Sequence, residues 1–265
     1  MRRHTSAKWF DQRFRLRNPK YSLYCFPFAG GAATYYAEWA DRFRGPIELV
    51  PVQLPGRGPR MAEPLATRIE DLANDIAVAI AEEDTVPLLF GHSMGAIIAF
   101  EVARRLQSLG RPAAHLSVSG RPAPLLSRPA EMVSRLPHAE IVQVLRDYGA
   151  ADEEILQHEE LLAMLMPIIR ADFAMIESYR YEPGTPLECP ISSWCGTADP
   201  EIDLEEMQGW AEETTGGWNL FGRPGGHFFL SQHIEEISRV IHEAVAHADD
   251  EVYVGVGGPW SYRPV

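Results

Sequence analysis

VPLLFGHSMGAIIAFEVARRLQSL, residues 86–109, joins an apolar run to a helical pattern through Gly91-His92-Ser93-Met94-Gly95. The run 86–90 is short, apolar and bounded by a turn, as a buried strand is, and 96–109 repeats apolar residues at helical spacing. A serine on a tight strand-to-helix turn holds a strained backbone, and flanking glycines let helix and strand approach closely. Such a turn lifts the Ser93 hydroxyl clear of the sheet. It also aims the N–H of Met94, at the helix start, toward an oxyanion formed beside it. A GxSxG string alone is a common glycine-rich turn; the strand before it and the helix after it make Ser93 a candidate nucleophile.

Outward from this turn, runs rich in Val, Ile, Leu and aromatic residues recur at 21–26, 47–52, 114–118, 191–195 and 218–221 and predict further strands. Between most of them lie helical patterns. The clearest starts at Thr67, with Glu70 three residues on as a capping box and Ile69, Leu72, Ala73, Ile76 and Ile80 on one face. Strands alternating with helices predict the α/β class with a mostly parallel, doubly wound sheet. After Gly120 the alternation stops: residues 121–186 carry helical signals, best at 130–148 and 160–181, and no convincing strand. An insertion between consecutive strands of such a sheet lies over their carboxyl ends, where ligands bind, and so predicts a lid. The plainer alternative is a helical subdomain that only adds core. One domain is expected over residues 1–265, and 249–265, rich in Gly and Pro, reads as a mobile tail or a strap.

With 46% hydrophobic and 23% charged residues the chain has the composition of an ordinary globular protein. Its net charge of −13 would repel a phosphate backbone, which argues against nucleic acid as partner. The first twenty residues run the other way: Arg2, Arg3, Lys8, Arg13, Arg15, Arg17 and Lys20 face only Asp11, which reads as a solubilising, frayed arm. No apolar stretch approaches the ~18 residues of a membrane span, and the start lacks the apolar core of a secretory signal, so the cytoplasm is the default address. Cys25, Cys189 and Cys195 suit neither a disulfide framework nor a zinc site and read as reduced core residues; no metal or dissociable cofactor is expected.

A serine hydroxyl needs a base, and the base needs a carboxylate to orient it; in the α/β-hydrolase fold they follow in the order Ser, acid, His. Asp199, in Gly196-Thr197-Ala198-Asp199-Pro200 after the strand at 191–195, is the candidate acid, with Asp203 its nearest rival. His227, in Gly225-Gly226-His227 after the last strand, is the candidate base. His4, His138, His158, His233 and His242 are less well placed, and His92 is expected to shape the elbow. A second oxyanion donor comes from the loop after the first core strand, here Cys25-Phe26-Pro27-Phe28-Ala29-Gly30-Gly31, through the N–H of Phe28 or Ala29.

Four stretches, FPFAGGAATYYAEWA (26–40), QLPGRGPR (53–60), FGHSMGAIIAFEVARRL (90–106) and GGHFFL (225–230), resemble the stand-alone type II thioesterases of polyketide and non-ribosomal peptide synthases. The Leu-Pro-Gly-Arg-Gly block and the Phe-Phe-Leu after His227 discriminate far better than the serine elbow. The resemblance implies hydrolysis of acyl groups from the phosphopantetheine arm of carrier proteins, with phosphopantetheine arriving on the substrate. Carried across by position, it implies Ser93, Asp199 and His227 as triad, Ala29 and Met94 as oxyanion donors, and 121–186 as lid. The acid loop WCGTADPEID departs from the usual pattern, which keeps Asp203 in play.

The rivals are a general carboxylesterase or lipase with the same catalytic apparatus, and a non-catalytic relative that binds a ligand under the lid. A cyclising domain cut from a megasynthase is less expected, since Met1 opens the chain and nothing carrier-like precedes the hydrolase. In the insertion, Leu161, Leu162, Leu165, Ile168, Ile169, Phe173 and Ile176 offer more apolar surface than one core-facing stripe needs, and predict an acyl tunnel. Carrier docking is expected to use a local basic patch: Arg57, Arg60, Arg121 and Arg128 lie nearest the cleft mouth, with bracing of its own loop the other reading for Arg57.

Overall fold

In the computed structural model, which describes residues 8–43, 45–126, 132–150 and 153–251, six strands form one sheet. They are β1 (Tyr21–Phe26), β2 (Ile47–Pro51), β3 (Val86–His92), β4 (His115–Ser119), β5 (Ile191–Gly196) and β6 (Trp218–Arg223). Their order is β2-β1-β3-β4-β5-β6, and every pairing is parallel. This is the α/β-hydrolase architecture. The chain winds outward from β1 to β2, then returns past β1 to β3 and winds the other way. The loops after β1 and β3 therefore diverge at the carboxyl edge, which opens the crevice in which such sheets bind ligands.

Successive strand residues point to opposite faces, and both faces are covered. Leu89, Leu116 and Ile191 pack beneath α1 (Ile69–Ala81) and α2 (Met94–Ser108). Leu23, Leu88 and Trp194 pack beneath a 3-10 run at Ala33–Arg42 and α7 (Ile234–Glu251). The expected capping box at Thr67 does not form. Arg68 is the cap residue and supplies no side-chain bond, so α1 is held by its buried apolar face and by Glu70 and Asp71 near its positive end.

The basic arm is docked rather than frayed from residue 8 onward. Trp9 and Phe10 are buried, and Phe14 bridges Leu49 in antiparallel sense with its N–H donating to the Leu49 carbonyl at 3.0 Å. The arm thus covers the outer edge of β2, which would otherwise present unpaired backbone groups. Residues 1–7 lie outside the described residues.

Between β4 and β5 come 3-10 turns at Pro124–Leu126 and Val133–Arg135, then α3 (His138–Tyr148), α4 (Glu153–Leu156) and α5 (Glu159–Ser178). Pro137 caps α3, so the helix expected over 130–148 begins eight residues later, at His138. Ile141, Leu145, Leu162, Met166 and Ile169 form a small apolar cluster of the insertion's own, while Met175 and Ile176, at the end of α5, join the core beneath α2. A short helix α6 (Leu204–Met207) follows β5. Among the described residues no helix is long and apolar enough to cross a membrane. The tail expected at 249–265 falls mostly outside the described residues, with α7 ending at Glu251.

Candidate active site

At the switch point β3 hands over to α2 through Ser93, whose φ of 54° and ψ of −121° make it one of two non-glycine residues with positive φ among those described. Such a conformation costs of order 1–3 kcal/mol and persists only where the surroundings impose it. Here they do. The Ser93 N–H donates to the Ser119 carbonyl at 2.8 Å. A Cβ on Gly91 would lie 2.1 Å from the Gly95 carbonyl oxygen, and one on Gly95 would lie 2.2 Å from that of Phe26. Both glycines of the elbow are therefore required by close backbone approach. The Ser93 side chain is left partly accessible at the start of α2, and Met94 lies in the first helical turn, whose N–H groups have no acceptor within the helix.

The contact of Gly95 with Phe26 and Pro27 sets the loop after β1 against the same helix start. That loop closes with the Gly31 N–H donating to the Phe28 carbonyl at 2.9 Å, and Gly30 has a φ of +77°. The Gly30 N–H donates to Asp172 Oδ2 at 2.8 Å, so it is committed elsewhere.

The loops after β5 and β6 are tied together by backbone. The Thr197 N–H donates to Arg223 at 2.8 Å and the Ala198 N–H to Gly225 at 2.9 Å, while a Cβ on Gly196 would lie 2.3 Å from the Gly226 carbonyl oxygen. This fastening brings His227 Nδ1 to 2.8 Å from Asp199 Oδ2, with the carboxylate side chain fully buried and the imidazole nearly so. A carboxylate only accepts, so Nδ1 donates and the neutral ring keeps its lone pair on Nε2. The other oxygen of Asp199 accepts the Glu201 N–H at 3.0 Å. Asp203 is occupied differently: it caps α6 in a reciprocal box with Glu206.

His227 and Ser93 converge on the end of β4. A Cβ on Gly120 would lie 3.4 Å from His227 Cε1, one residue beyond the carbonyl that Ser93 holds. Aromatic rings enclose the imidazole: His92 and Tyr148 each have centroids 4.9 Å away, and Phe228 lies at 5.4 Å. Burial, and then the neighbouring His227, hold His92 well below the usual histidine range, so it stays neutral beside the base, its Nδ1 sharing a hydrogen bond of 3.1 Å with Ser119 Oγ. Tyr148 ends α3 and so brings the insertion down onto His227; burial, followed by Glu201, pushes its phenol above the usual value.

The arginines do other work than expected. Arg57 and Arg60 are buried. Arg57 grips Asp172 with two bonds of 2.6 and 2.7 Å and donates to the Gly31 carbonyl at 3.0 Å; Arg60 pairs with Glu63 and lies over the Trp9 ring at 4.1 Å. Neither offers a cation to a carrier. Arg121 sits against Tyr148 and Glu201, and burial lowers its guanidinium. Arg128 lies outside the described residues. Asp172 itself went unnoticed in the sequence, although it falls in register with Leu165, Ile169 and Ile176 on the apolar stripe of α5, where a buried charge demands a partner.

The chain has relatives among known proteins. PikA5 of Streptomyces venezuelae, a thioesterase, is 35% identical over 90% of this chain and 85% of its own. A Brevibacillus parabrevis protein named linear gramicidin dehydrogenase LgrE is 36% identical over 84% of this chain and 87% of its own. The type II thioesterase BorB of the borrelidin biosynthetic cluster superposes with a TM-score of 0.81 at 38% identity, over 89% of this chain and 97% of that one. The family model for the thioesterase domain matches residues 21–245, and the chain belongs to that family of thioester hydrolases.

Proposed function

We propose that this thioesterase removes acyl groups from the phosphopantetheine arm of acyl or peptidyl carrier proteins, clearing stalled or misprimed synthases. Ser93 is the nucleophile, His227 the base, Asp199 its orienting acid, and the N–H groups of Ala29 and Met94 the oxyanion donors. The observation that carries the chemistry is the Asp199–His227 contact of 2.8 Å, set against the end of β4 that also holds the Ser93 backbone.

Ser93 Oγ attacks the thioester carbonyl while His227 Nε2 takes its proton. The C–S bond then breaks and the thiol leaves with that proton. Water repeats the cycle on the acyl-enzyme and releases the acid. A thiolate leaves readily, so the site needs an activated serine and a polarised carbonyl more than a strong acid. Support for the carrier arm comes from the biosynthetic setting of the named relatives, and the cytoplasm, where such synthases work, is the proposed location. The dehydrogenase name of one relative finds no counterpart here: the loop after β1 reads Pro27-Phe28-Ala29-Gly30-Gly31, without the GxGxxG fingerprint that holds a dinucleotide.

A panel of acyl groups presented on carrier protein, on a small thiol and as simple esters tests the reading. Carrier-bound thioesters should give the highest kcat/KM, and a fluorophosphonate should label Ser93. Faster turnover of simple esters, indifferent to the carrier, would make the protein a general esterase; no labelling at all would favour a ligand-binding relative.

A further inference from the structure

The loop Phe28-Ala29-Gly30-Gly31 is a four-residue turn closed by the Gly31 N–H on the Phe28 carbonyl, with Gly30 at a φ of +77° in its third position. Positive φ at that position marks the type II form, which differs from type I chiefly by a rotation of the central peptide, here the one joining Ala29 to Gly30. What holds that peptide comes from far along the chain. Asp172 Oδ2 accepts the Gly30 N–H at 2.8 Å, and the same carboxylate takes both terminal nitrogens of Arg57, whose Nη1 donates in turn to the Gly31 carbonyl at 3.0 Å. Asp172 and Arg57 are 1% and 4% exposed, so the pair works where solvent screening is weak. Ile169, one turn earlier on α5, lies so close that a Cβ on Gly30 would sit 2.8 Å from its Cγ1. Two neighbouring contacts from the insertion thus converge on one glycine of the loop.

We propose that Asp172, with Arg57, is a positioning residue for the oxyanion loop: by holding the Gly30 N–H and the Gly31 carbonyl it pins the turn in place, and with it the adjoining Phe28–Ala29 peptide, so that the Ala29 N–H faces the Ser93 site, and it does so only while α5 is seated. The insertion then serves catalysis through the loop beneath it, apart from any contact it makes with the acyl chain. This rests on the functional reading above, in which Ala29 supplies a donor to the oxyanion.

A buried ion pair can often be exchanged for apolar side chains of similar size without loss of stability, whereas removing one partner is costly. That difference separates positioning from packing. Asp172→Asn and the double variant Asp172→Leu with Arg57→Met are made in the full chain. Each is assayed for hydrolysis of a butyryl small thiol and of p-nitrophenyl butyrate, for inhibition by a trifluoromethyl ketone that forms a tetrahedral adduct, and for Tm. Loss of an oriented oxyanion donor lowers kcat by about 10²-fold. Both variants should show that loss with KM nearly unchanged and the ketone weakened in the same proportion, and the double variant should recover the wild-type Tm without recovering kcat. A double variant with wild-type kcat, or an Asp172→Asn enzyme whose Tm falls while kcat and ketone affinity stay intact, overturns the positioning role and leaves the hydrolase reading standing. Wild-type protein that turns over neither substrate overturns both.

Discussion

At the carboxyl edge of the sheet, Ser93, Asp199 and His227 ride on loops fixed by backbone: Ser93 N–H on Ser119, Thr197 N–H on Arg223, Ala198 N–H on Gly225, and glycines at 91, 95 and 196 where no Cβ fits. In the insertion the same task falls to side chains. Glu177 takes both the backbone N–H and the hydroxyl of Ser134, Arg170 donates to the Ser134 carbonyl, Tyr179 donates to Glu101 at 2.7 Å, and Asp172 grips Arg57. A backbone-held site keeps its geometry when one side chain changes, because the hydrogen bonds that shape it remain. A segment tied by a few polar pairs can shift as a unit when one tie is lost. Chemistry should therefore be lost at the sheet edge without loss of fold, whereas in the insertion a lost tie should be felt as a shift of the segment, which reaches the chemistry only through the loop that Asp172 holds.

The sharpest test of that contrast is Ser93→Ala. It should reduce turnover by about 10⁴-fold or more, since nucleophile and base act as a unit, while Tm holds or rises as the strained elbow keeps its backbone partners. Near-normal turnover in the purified variant would end the serine mechanism. Asp199→Asn comes next: an amide beside Nδ1 favours the wrong imidazole tautomer, and kcat should fall by about 10³- to 10⁴-fold. Asp203→Asn should leave kcat in place, because that carboxylate only caps α6 and asparagine caps nearly as well. The opposite ranking on one thioester would move the acid to Asp203.

Much of the sheet was legible in the sequence because strands buried on both faces, as β1 to β5 largely are, read as continuous apolar runs; all six, the half-buried β6 included, fall within two residues of where those runs place them. The candidate site residues share a position that sequence can mark, since each lies in the loop that follows a strand. Long-range polar pairing was not legible. Arg57 reads the same in sequence whether it faces a carrier or a carboxylate 115 residues away, and only the fold sets Asp172 before it. Local signals failed where tertiary packing outweighed them: the Thr67 box gave way to a helix that starts two residues later, and Pro137 cut the helix expected over 130–148. The docked arm had a signal in Trp9 and Phe10, two large apolar residues among the charges, which a count of charge alone passes over.

The sheet should also yield to acid from within. His115 in β4 is buried with neither ring nitrogen hydrogen-bonded among the described residues, and burial pushes its pKa down to about 4. An unfolded histidine titrates near 6.5, so between these values the unfolded chain binds more protons than the folded one. Stability from this residue is fully present above about pH 6.5 and is lost as pH falls toward about 4, by an amount on the order of 3 kcal/mol. His115→Leu should flatten the acid side of the Tm profile over that window relative to wild type. Superimposable profiles would mean that the ring finds a proton acceptor on charging.

The smallest effect separates the two halves of α5, whose apolar residues suggested an acyl tunnel. Phe173 packs on the insertion's own cluster and is partly accessible, whereas Ile176 is 8% exposed in the core beneath α2. Extra volume at Ile176 must push against a close-packed sheet layer, so Ile176→Trp should lower stability by about 1–3 kcal/mol and leave the ranking of acyl chains alone. Extra volume at Phe173 can be taken up by the insertion or intrude on whatever lies between it and the sheet edge. Phe173→Trp should change the ratio of kcat/KM for short against long acyl thioesters by several-fold, since one added or missing methylene in an apolar pocket is worth about 1–3 kcal/mol. If Phe173→Trp lowers Tm and leaves that ratio at the wild-type value, its face of α5 is core like that of Ile176. The acyl chain would then have to run along Phe28 and Phe228, whose rings meet at 4.7 Å, placing specificity on the backbone-held side of the cleft.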